Sequence, residues 1–263
     1  MGEIIVITSG KGGVGKTTTT ANLGTALALL DKRVIVIDAD IGLRNLDVVL
    51  GAEDKIIYDI MDVLEGSCTL EQALIQGKNL PNLHLLPASQ TATKDSIEPE
   101  QMRELCAGLK EKYDFVLIDC PAGIERGFKN AMSAAERALV VATPDVSSVR
   151  DADRIIRLLL VNDPPIKSEL ILNRVRMDFV ERGVQMNIED ITEILPIDLI
   201  GVVPDDSDII IAASRGESVV NYSYSRPGTA YRDIARRMIG MNVEFMDLSE
   251  KTGFFSKLRK AFK

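Results

Sequence analysis

Short aliphatic runs recur along the chain at fairly even spacing, and helical patterns separate nearly all of them. Continuous aliphatic runs of this length are typical of strands that are buried on both faces of a sheet. The runs predicted to be strands are Glu3–Thr8, Val34–Asp38, Leu83–Leu86, Phe115–Asp119, Ala138–Ala142, Glu169–Asn173 and Leu199–Val203. Their alternation with helices predicts an α/β fold with a doubly wound, mostly parallel sheet of seven to eight strands, flanked by helices.

Polar or special residues stand at or just after the ends of several runs, namely Asp38, Asp119, Asn173 and Pro204. The carboxyl ends of parallel strands meet at one edge of a sheet, and open α/β sheets bind their ligands there. We therefore expect the chemistry of the protein at this edge.

A glycine-rich segment follows the first run directly and leads into a helical pattern from about Lys16 to Leu30. Its glycines allow the backbone to curl so that N–H groups surround phosphate oxygens, and the helix adds the positive end of its dipole. In this pattern Lys16 reaches the terminal phosphates and the Thr17 hydroxyl can ligate Mg²⁺. The residues expected to surround the nucleotide phosphates are Gly10, Lys11, Gly12, Gly13, Val14, Gly15, Lys16, Thr17 and Thr18. The segment therefore predicts a nucleotide-binding P-loop.

Lys11 is the unusual residue of this loop, because a plain phosphate loop places no demand on that position. One interpretation is a lysine that is simply solvated. The other is a cation within reach of a second nucleotide that is held face to face with the first.

Acidic residues end two of the predicted strands, in Asp38-Ala39-Asp40 and in Asp119-Cys120-Pro121. Acids beside a phosphate loop can hold Mg²⁺ through water and align the water that attacks the phosphate. A single aspartate at the end of a strand is otherwise a common helix or turn cap. Three of them on adjacent elements favour the functional interpretation.

These motifs resemble the ParA/MinD family of P-loop ATPases, which carry a deviant Walker A loop. Residues 11–17 match that loop, while 38–40 and 119–123 match the family's switch I and switch II elements. The strings IGLRNLD at 41–47, PAGIE at 121–125 and SSVRDADR at 147–154 are similar to family members that place the bacterial division site. The resemblance covers the whole chain and implies a Mg²⁺-dependent ATPase that cycles between ATP and ADP and forms a homodimer with ATP.

The resemblance also implies a role for each matching residue. Lys11, Lys16 and Asp40 would be catalytic, Lys11 by touching the ATP of the dimer partner and Asp40 by positioning the attacking water. Asn173 would read the edge of the adenine, with Pro204 packing nearby. The residues implied for Mg²⁺ are Thr17, Asp38 and Asp119.

Asp151 and Asp153 lie on a predicted helix that is rich in charge. They allow ordinary pairs along a solvated face, Asp151 with Arg154 and Asp153 with Arg157. By the resemblance, the matching acids belong to the surface that binds the division inhibitor MinC and a MinE-type or other topology factor.

Charge is spread unevenly along the 263 residues, whose net charge is −8. Residues 251–263 carry five basic side chains and no acid, so residues 1–250 have a net charge of −13. An acidic body argues against sequence-specific or general binding of nucleic acid. We predict a P-loop ATPase domain over 1–247 and a separate tail over 248–263.

The basic tail has the pattern of an amphipathic helix lying in a membrane surface. At 100° per residue its large apolar side chains form one stripe, and its cations lie outside that stripe. The residues expected to contact anionic lipid are Phe254, Phe255, Lys257, Leu258, Arg259, Lys260 and Phe262. The alternative is a terminal helix packed on the body with solvated lysines.

The three cysteines are odd in number and fit no metal spacing, which favours a reduced cytoplasmic setting over disulfides. The sequence contains no apolar run of 18 residues. With the tail, this predicts a cytoplasmic protein that lies peripherally on the inner face of the cell membrane.

Four other functions fit parts of the pattern. A ParA-type partition ATPase would need a basic body surface, and a flagellar-number regulator usually carries an N-terminal extension before the first strand. A relative of the nitrogenase iron protein would need cysteines to bridge an iron–sulfur cluster, and Cys106 and Cys120 do not match that spacing. A nucleotide-gated scaffold with negligible turnover remains a competing hypothesis. The function expected from the whole sequence is an ATP-dependent dimerisation switch that recruits a septum inhibitor to the membrane and is released by hydrolysis.

Overall fold

The computed structural model describes residues 2–93, 96–124 and 126–249 of the chain. The strands within them are β1 Glu3–Thr8, β2 Val34–Asp38, β3 Ile75–Gly77, β4 Leu80–Leu86, β5 Phe115–Asp119, β6 Arg137–Ala142, β7 Lys167–Val175 and β8 Asp198–Pro204. They form one sheet in the order β3-β4-β2-β5-β1-β6-β7-β8. All neighbouring strands pair in parallel except β3 and β4, which are antiparallel.

Helices cover both faces of this sheet. The described α-helices are α1 Lys16–Ala28, α2 Leu46–Leu50, α3 Ile60–Leu64, α4 Leu70–Ala73, α5 Pro99–Lys112, α6 Arg126–Ser133, α7 Val146–Leu160, α8 Met177–Glu181, α9 Ile188–Ile194, α10 Ser207–Ser214 and α11 Arg226–Met238. Short 3₁₀ turns lie at Glu53–Lys55 and Val219–Asn221. The predicted doubly wound α/β fold is therefore confirmed.

Alternate residues of each central strand enter two separate apolar clusters, one on each face of the sheet. In β1, Ile4 and Val6 belong to the cluster covered by α5, α6, α7 and α9, whereas Ile5 and Ile7 belong to the one covered by α1 and α11. Because both faces of the sheet are covered, apolar and polar residues do not alternate along the central strands. The strands therefore appear in the sequence as continuous aliphatic runs.

All seven predicted strands are present, with small differences at their ends. β4 begins at Leu80, three residues before the predicted start, and α1 ends at Ala28 instead of Leu30. The eighth strand, β3, was missed because it is three residues long and only Ile75 in it is buried. A single buried residue gives no periodic signal, and β3 exists because it pairs with β4 at the edge of the sheet.

Residues 241–249 follow α11 and return along it. Arg237 donates to the carbonyl oxygens of Val243 and Glu244 and to that of Ile200 in β8, at 3.0, 2.8 and 3.0 Å. Arg226, at the start of α11, donates to the carbonyl oxygen of Asp247 at 3.0 Å.

The end of this segment passes around the β8 edge of the sheet. Met246 packs against the apolar cluster under α11, whereas Leu248 packs against the cluster on the opposite face. The predicted boundary near Leu248 thus falls within a described segment that is held against the body. The predicted lipid-contacting residues of the tail lie outside the described residues. None of the described helices is long and apolar enough to span a membrane.

Candidate functional site

The predicted P-loop connects β1 to α1 at the carboxyl edge of the sheet. Gly13 and Gly15 have left-handed backbone conformations, with φ of 76° and 100°, and α1 begins immediately after Gly15. A Cβ atom on Gly15 would lie 2.4 Å from Nδ2 of Asn173, and one on Gly10 would lie 2.3 Å from the carbonyl oxygen of Asp151. Glycine is therefore required at both positions. The backbone N–H groups at the start of α1 form a ready site for a phosphate.

Lys16, the first residue of α1, is buried beneath the loop. Its Nζ donates a hydrogen bond to Oγ of Ser9 at 3.0 Å, and that hydroxyl in turn donates to the carbonyl oxygen of Lys11 at 2.8 Å. These bonds hold the ammonium group and the loop backbone in a fixed relation.

Asp38 and Asp119 end the neighbouring strands β2 and β5 and are paired in register. Both are buried. Burial raises the pKa of Asp38 to about 6 and that of Asp119 to about 7, and the charge of Asp38 adds to the second shift. The Thr20 hydroxyl donates to Asp119 at 3.2 Å, and the Thr17 hydroxyl also stabilises the charged form of that carboxyl.

Asp38 is also a structural cap. Its carboxylate accepts hydrogen bonds from the backbone N–H groups of Asp40, Asn45 and Leu46, at 2.9, 3.0 and 3.0 Å. It thereby closes the loop that carries Asp40 and begins α2. The capping and functional interpretations of this aspartate are compatible, because Oδ1 accepts only one of these bonds and keeps a further lone pair. Asp40 itself is half-buried just beyond β2.

The donor set fits Mg²⁺. Two buried carboxylates lie at the sheet edge beside the Thr17 hydroxyl, and hard cations prefer such oxygen ligands. A nearby dication would favour the ionised carboxylates that burial disfavours. No group of three or more His, Cys, Asp or Glu side chains among the described residues is arranged to hold a metal. An ion here would therefore need phosphate oxygens and water to complete its shell.

The side chain of Lys11 contacts the start of α7 in its own chain. Its Nζ donates to Oγ of Ser147 at 3.0 Å and lies 3.7 Å from Oδ1 of Asp145. Burial opposes ionisation of Asp145, but hydrogen bonds from Ser147, Thr143 and Ser148 outweigh it and lower its pKa to about 2. The same carboxylate caps α7 by accepting from the N–H of Ser148 at 2.9 Å. The lysine side chain remains 46% exposed, so this contact is accessible to solvent.

Asn173 lies in β7 where the pairing with β8 is irregular. Its Nδ2 donates to the carbonyl oxygen of Val14 at 2.7 Å, which ties β7 to the P-loop. Its Oδ1 is buried and has no hydrogen-bond partner among the described residues. Pro204 is buried at the end of β8 opposite Val175.

A cavity of about 240 Å³ lies beside Asn173, between the start of α1 and α10. The residues that line it with Asn173 are Gly15, Thr18, Arg174, Asp205, Asp206, Ile209 and Ile210. Pro204 does not belong to this described lining. Sequence reasoning missed Arg174 and the two isoleucines. The N-cap at Asp206, which accepts from the N–H of Asp208 at 2.9 Å, is the one local signal that would have placed α10 here.

Asp151 and Asp153 are half-buried on α7. Asp153 pairs with Arg157 at 2.9 Å, as the spacing predicted, whereas the pair of Asp151 with Arg154 is not among the described ion pairs. The backbone of Asp151 packs directly on Gly10. The helix predicted to bind partners therefore touches the P-loop.

Comparison with known proteins gives one consistent result. A family described as an AAA domain matches residues 2–170. The septum site-determining protein MinD of Bacillus subtilis strain 168 is 51% identical over 264 residues, covering 100% of this chain and 98% of that protein. The MinC:MinD cell division protein complex of Aquifex aeolicus matches with a TM-score of 0.87 and 47% identity, covering 93% of this chain and 98% of that chain. MinD from Pyrococcus horikoshii, complexed with Mg-ADP, matches with a TM-score of 0.82 and 32% identity, covering 91% and 97%.

Proposed function

Because the chain belongs to the MinD family of septum site-determining ATPases, we propose that it is an ATP-dependent dimerisation switch that recruits a septum inhibitor to the membrane. Hydrolysis of ATP to ADP and phosphate returns it to the cytoplasm. The observation that carries this proposal is the position of the P-loop. On one side Thr20, in the helix that follows the loop, donates to Asp119 of the buried Asp38–Asp119 pair, and on the other side Gly10 packs on α7.

The phosphates of ATP bind across Gly10–Thr18, where backbone N–H groups and the α1 dipole favour anions. Lys16 turns from Ser9 to the terminal phosphates. Thr17, Asp38 and Asp119 would hold Mg²⁺, which would supply positive charge to offset the charge that develops on the transferred phosphoryl group. Asp40 accepts a hydrogen bond from the attacking water and holds it in line.

The base lies in the cavity beside Asn173. The buried Oδ1 of Asn173 is an acceptor in need of a donor, and the exocyclic amino group of adenine is such a donor. We keep for Pro204 the packing role that the family resemblance implies, although it is not among the described residues that line this cavity. The arrangement favours adenine over guanine, which presents a carbonyl oxygen in place of that amino group.

Dimerisation moves Lys11 from its own chain to the nucleotide of a second copy. Its contacts with Ser147 and Asp145 are exposed, and exposed ion pairs contribute only about 0.2–1 kcal/mol. The phosphates of a facing ATP offer more negative charge in a site that dimerisation shields from water. The homodimer is therefore formed with ATP and lost after hydrolysis.

Partners bind on α7. A MinC:MinD complex is known from Aquifex aeolicus, and we extend MinC as a partner to this chain. Asp151 and Asp153 contribute to this surface, which a MinE-type or other topology factor shares. Because α7 packs on Gly10 and holds Lys11, a partner that displaces α7 also disturbs the phosphate site.

The tail 248–263 attaches the dimer to anionic lipid on the inner face of the membrane. One short tail binds weakly, because folding it into a helix opposes the burial of its apolar side chains. Two tails on one dimer bind roughly 10²–10⁴-fold more tightly through their effective concentration. Arg237 and Arg226 fix the preceding segment to the body, so each tail starts from a defined point.

Sedimentation velocity with Mg-ATP, Mg-ADP and no nucleotide tests the switch. We expect dimers with ATP only, and none with ATP when Lys11 is replaced by Ala. A monomer in every nucleotide state would contradict the proposal. Phosphate release measured with and without anionic vesicles separates this ATPase from a scaffold with negligible turnover. A DNA-partition function is disfavoured by the −13 charge of residues 1–250.

A further inference from the structure

Arg174 has an unusual backbone conformation within a buried strand. Its φ is 59°, in the left-handed region that residues with a Cβ atom rarely adopt. The pairing of β7 with β8 shifts register between Leu172 and Val175, so Arg174 lies in a bulge. Its side chain is exposed while those of Asn173 and Val175 are buried. Bulges beside a site re-aim a side chain, and an observed backbone outlier is a reason to look for a function.

Specific contacts hold this bulge in place from both sides. The Gln185 side chain donates to the carbonyl oxygen of Arg174 at 3.0 Å and accepts from the N–H of Arg176 at 2.8 Å. Asn173 is turned inward and bonded to Val14 of the P-loop. The bulge is therefore built into the site, and its consequence is the direction in which Arg174 points.

Arg174 stands between two cavities that flank the P-loop. The larger, of about 440 Å³, lies outside the loop and includes Lys11 and Phe179. The smaller, of about 240 Å³, includes Thr18 and Ile210. Arg174 takes part in none of the ion pairs formed among the described residues, whereas the neighbouring Arg176 pairs with Asp178 at 2.9 Å.

The smaller cavity has the features of a slot for a flat ring. Ile209 and Ile210 form an apolar wall, and Ile210 is 73% exposed although it is a large aliphatic residue. Asn173 brings its buried, unpartnered Oδ1 to the same cavity. A guanidinium group is planar and stacks on aromatic faces, which a lysine cannot do in the same way.

We propose that Arg174 stacks its guanidinium group on the purine ring of the bound nucleotide, opposite the wall formed by Ile209 and Ile210. Arg174 is then a specificity-determining residue, and the bulge exists to aim it at the base. This inference rests on the proposed function, which places a nucleotide on the P-loop. Two other roles for the same cation are a contact with the phosphates and a contact with a second copy of the chain.

Arg174→Asn is the sharpest variant. Asparagine tolerates the left-handed conformation, so the bulge is kept while the guanidinium group is removed. Arg176→Asn is the matched control, because it removes the same charge two residues away, from a side chain already paired with Asp178. Both are measured by calorimetry with Mg²⁺ and three ligands, namely ATP, ADP and inorganic triphosphate.

For Arg174→Asn we expect affinity for ATP and for ADP to fall about 3–30-fold, the range of cation–π contacts at exposed to desolvated sites. Affinity for triphosphate should stay within about twofold of the wild type, because that ligand has no base. Arg176→Asn should bind all three ligands as the wild type does. The melting temperature of Arg174→Asn should not fall, which shows that the losses are not caused by unfolding.

Three results would overturn the inference. An equal loss for triphosphate would assign Arg174 to the phosphates. Unchanged ADP binding together with loss of the ATP-dependent dimer would assign it to the second copy. Unchanged affinity for every ligand would leave the bulge without a role in binding. If the wild type bound none of the three ligands, the proposed nucleotide site would itself be wrong, which is a different outcome from any of these.

Discussion

The Nζ atom of Lys11 donates a hydrogen bond to Oγ of Ser147 in the same chain, at 3.0 Å. Ser147 lies in the first turn of α7, whose cap Asp145 also faces the lysine at 3.7 Å. Lys11, which the family resemblance implies to contact the ATP of a second copy of the chain, is thus held by α7. The same resemblance implies that α7 binds other proteins. Dimerisation and partner binding would act on the same small group of contacts.

Weakening this contact should favour dimerisation. Asp145→Asn keeps a side chain that can cap α7 but removes the charge that attracts Lys11. Because an exposed ion pair contributes about 0.2–1 kcal/mol, the ATP concentration needed for half-maximal dimerisation should fall by up to about fivefold. Sedimentation velocity across an ATP titration measures this change in the ATP concentration.

Lys11→Ala is the companion variant and should abolish the dimer while ADP binding persists. A dimer that forms normally without Lys11 would exclude its role between subunits.

Lys16→Ala should abolish tight ATP binding, because the buried ammonium group beneath the loop is lost. A hydrogen bond to a charged group contributes about 1.5–3 kcal/mol, so affinity should fall at least tenfold. Calorimetry measures the change, and the melting temperature of the nucleotide-free variant shows whether it is still folded. Unchanged affinity in the Lys16 variant would remove the P-loop assignment.

Much of the site was predictable because its signals are local. The glycines of 10–15, Lys16 and the acids at the ends of β2 and β5 are adjacent in sequence to strong strand patterns, and the sheet brings them to one edge. Arg174 could not be found in this way, since a left-handed φ at a non-glycine residue leaves no mark in the sequence. Likewise, the contacts of Lys11 with Ser147 and of Gly10 with Asp151 join segments about 140 residues apart.

The segment after α11 illustrates a second limit. The composition of the sequence predicts a boundary near Leu248. The attachment of residues 241–249 to the body, however, depends on hydrogen bonds from Arg237 to backbone carbonyl oxygens, which every residue has whatever its side chain. Because every residue has a backbone carbonyl group, a hydrogen bond to one leaves no pattern in the amino-acid sequence and is visible only in the structure.

Asp40→Ala should separate nucleotide binding from turnover. The P-loop and the Asp38 cap remain, so the variant should bind ATP and dimerise. Hydrolysis should slow by about 10²–10⁴-fold, the usual contribution of a positioned base. Single-turnover phosphate release measures the rate, and dimerisation provides the internal control. A rate equal to that of the wild type would leave Asp40 with only a structural role.

Asp119→Asn should stabilise the protein when nucleotide and magnesium are both absent. Burial raises the pKa of Asp119 to about 7, so the folded state binds its proton more tightly than the unfolded state does. Stability from this group is therefore present at low pH and is lost as pH rises from about 4 through 7. The asparagine of the variant has no carboxyl to ionise, so the variant does not lose this stability as the pH rises. The amide Oδ1 of the asparagine can still accept the hydrogen bond that the Thr20 hydroxyl donates to Asp119.

Thermal unfolding from pH 5 to pH 8 tests this point. The variant's melting temperature should exceed that of the wild type at pH 8, and the difference should shrink at pH 5. With Mg-ADP present the order should reverse, because the wild type regains a favourable partner for its carboxylate. A difference that does not depend on pH would contradict the assignment of the effect to Asp119.

Vesicle co-sedimentation with ATP, ADP and no nucleotide tests the central claim, that ATP-driven dimerisation is converted to membrane attachment by paired tails. The variants are truncation after Leu248, which keeps the contact of Arg226 with Asp247, and Leu258→Glu, which places an anion on the apolar stripe. The wild type should pellet with anionic vesicles at least tenfold more tightly in ATP than in ADP. Neither variant should pellet in any nucleotide state, although both should still bind ATP. Equal attachment of the wild type in ATP and ADP, or attachment of the truncated chain, would contradict the account.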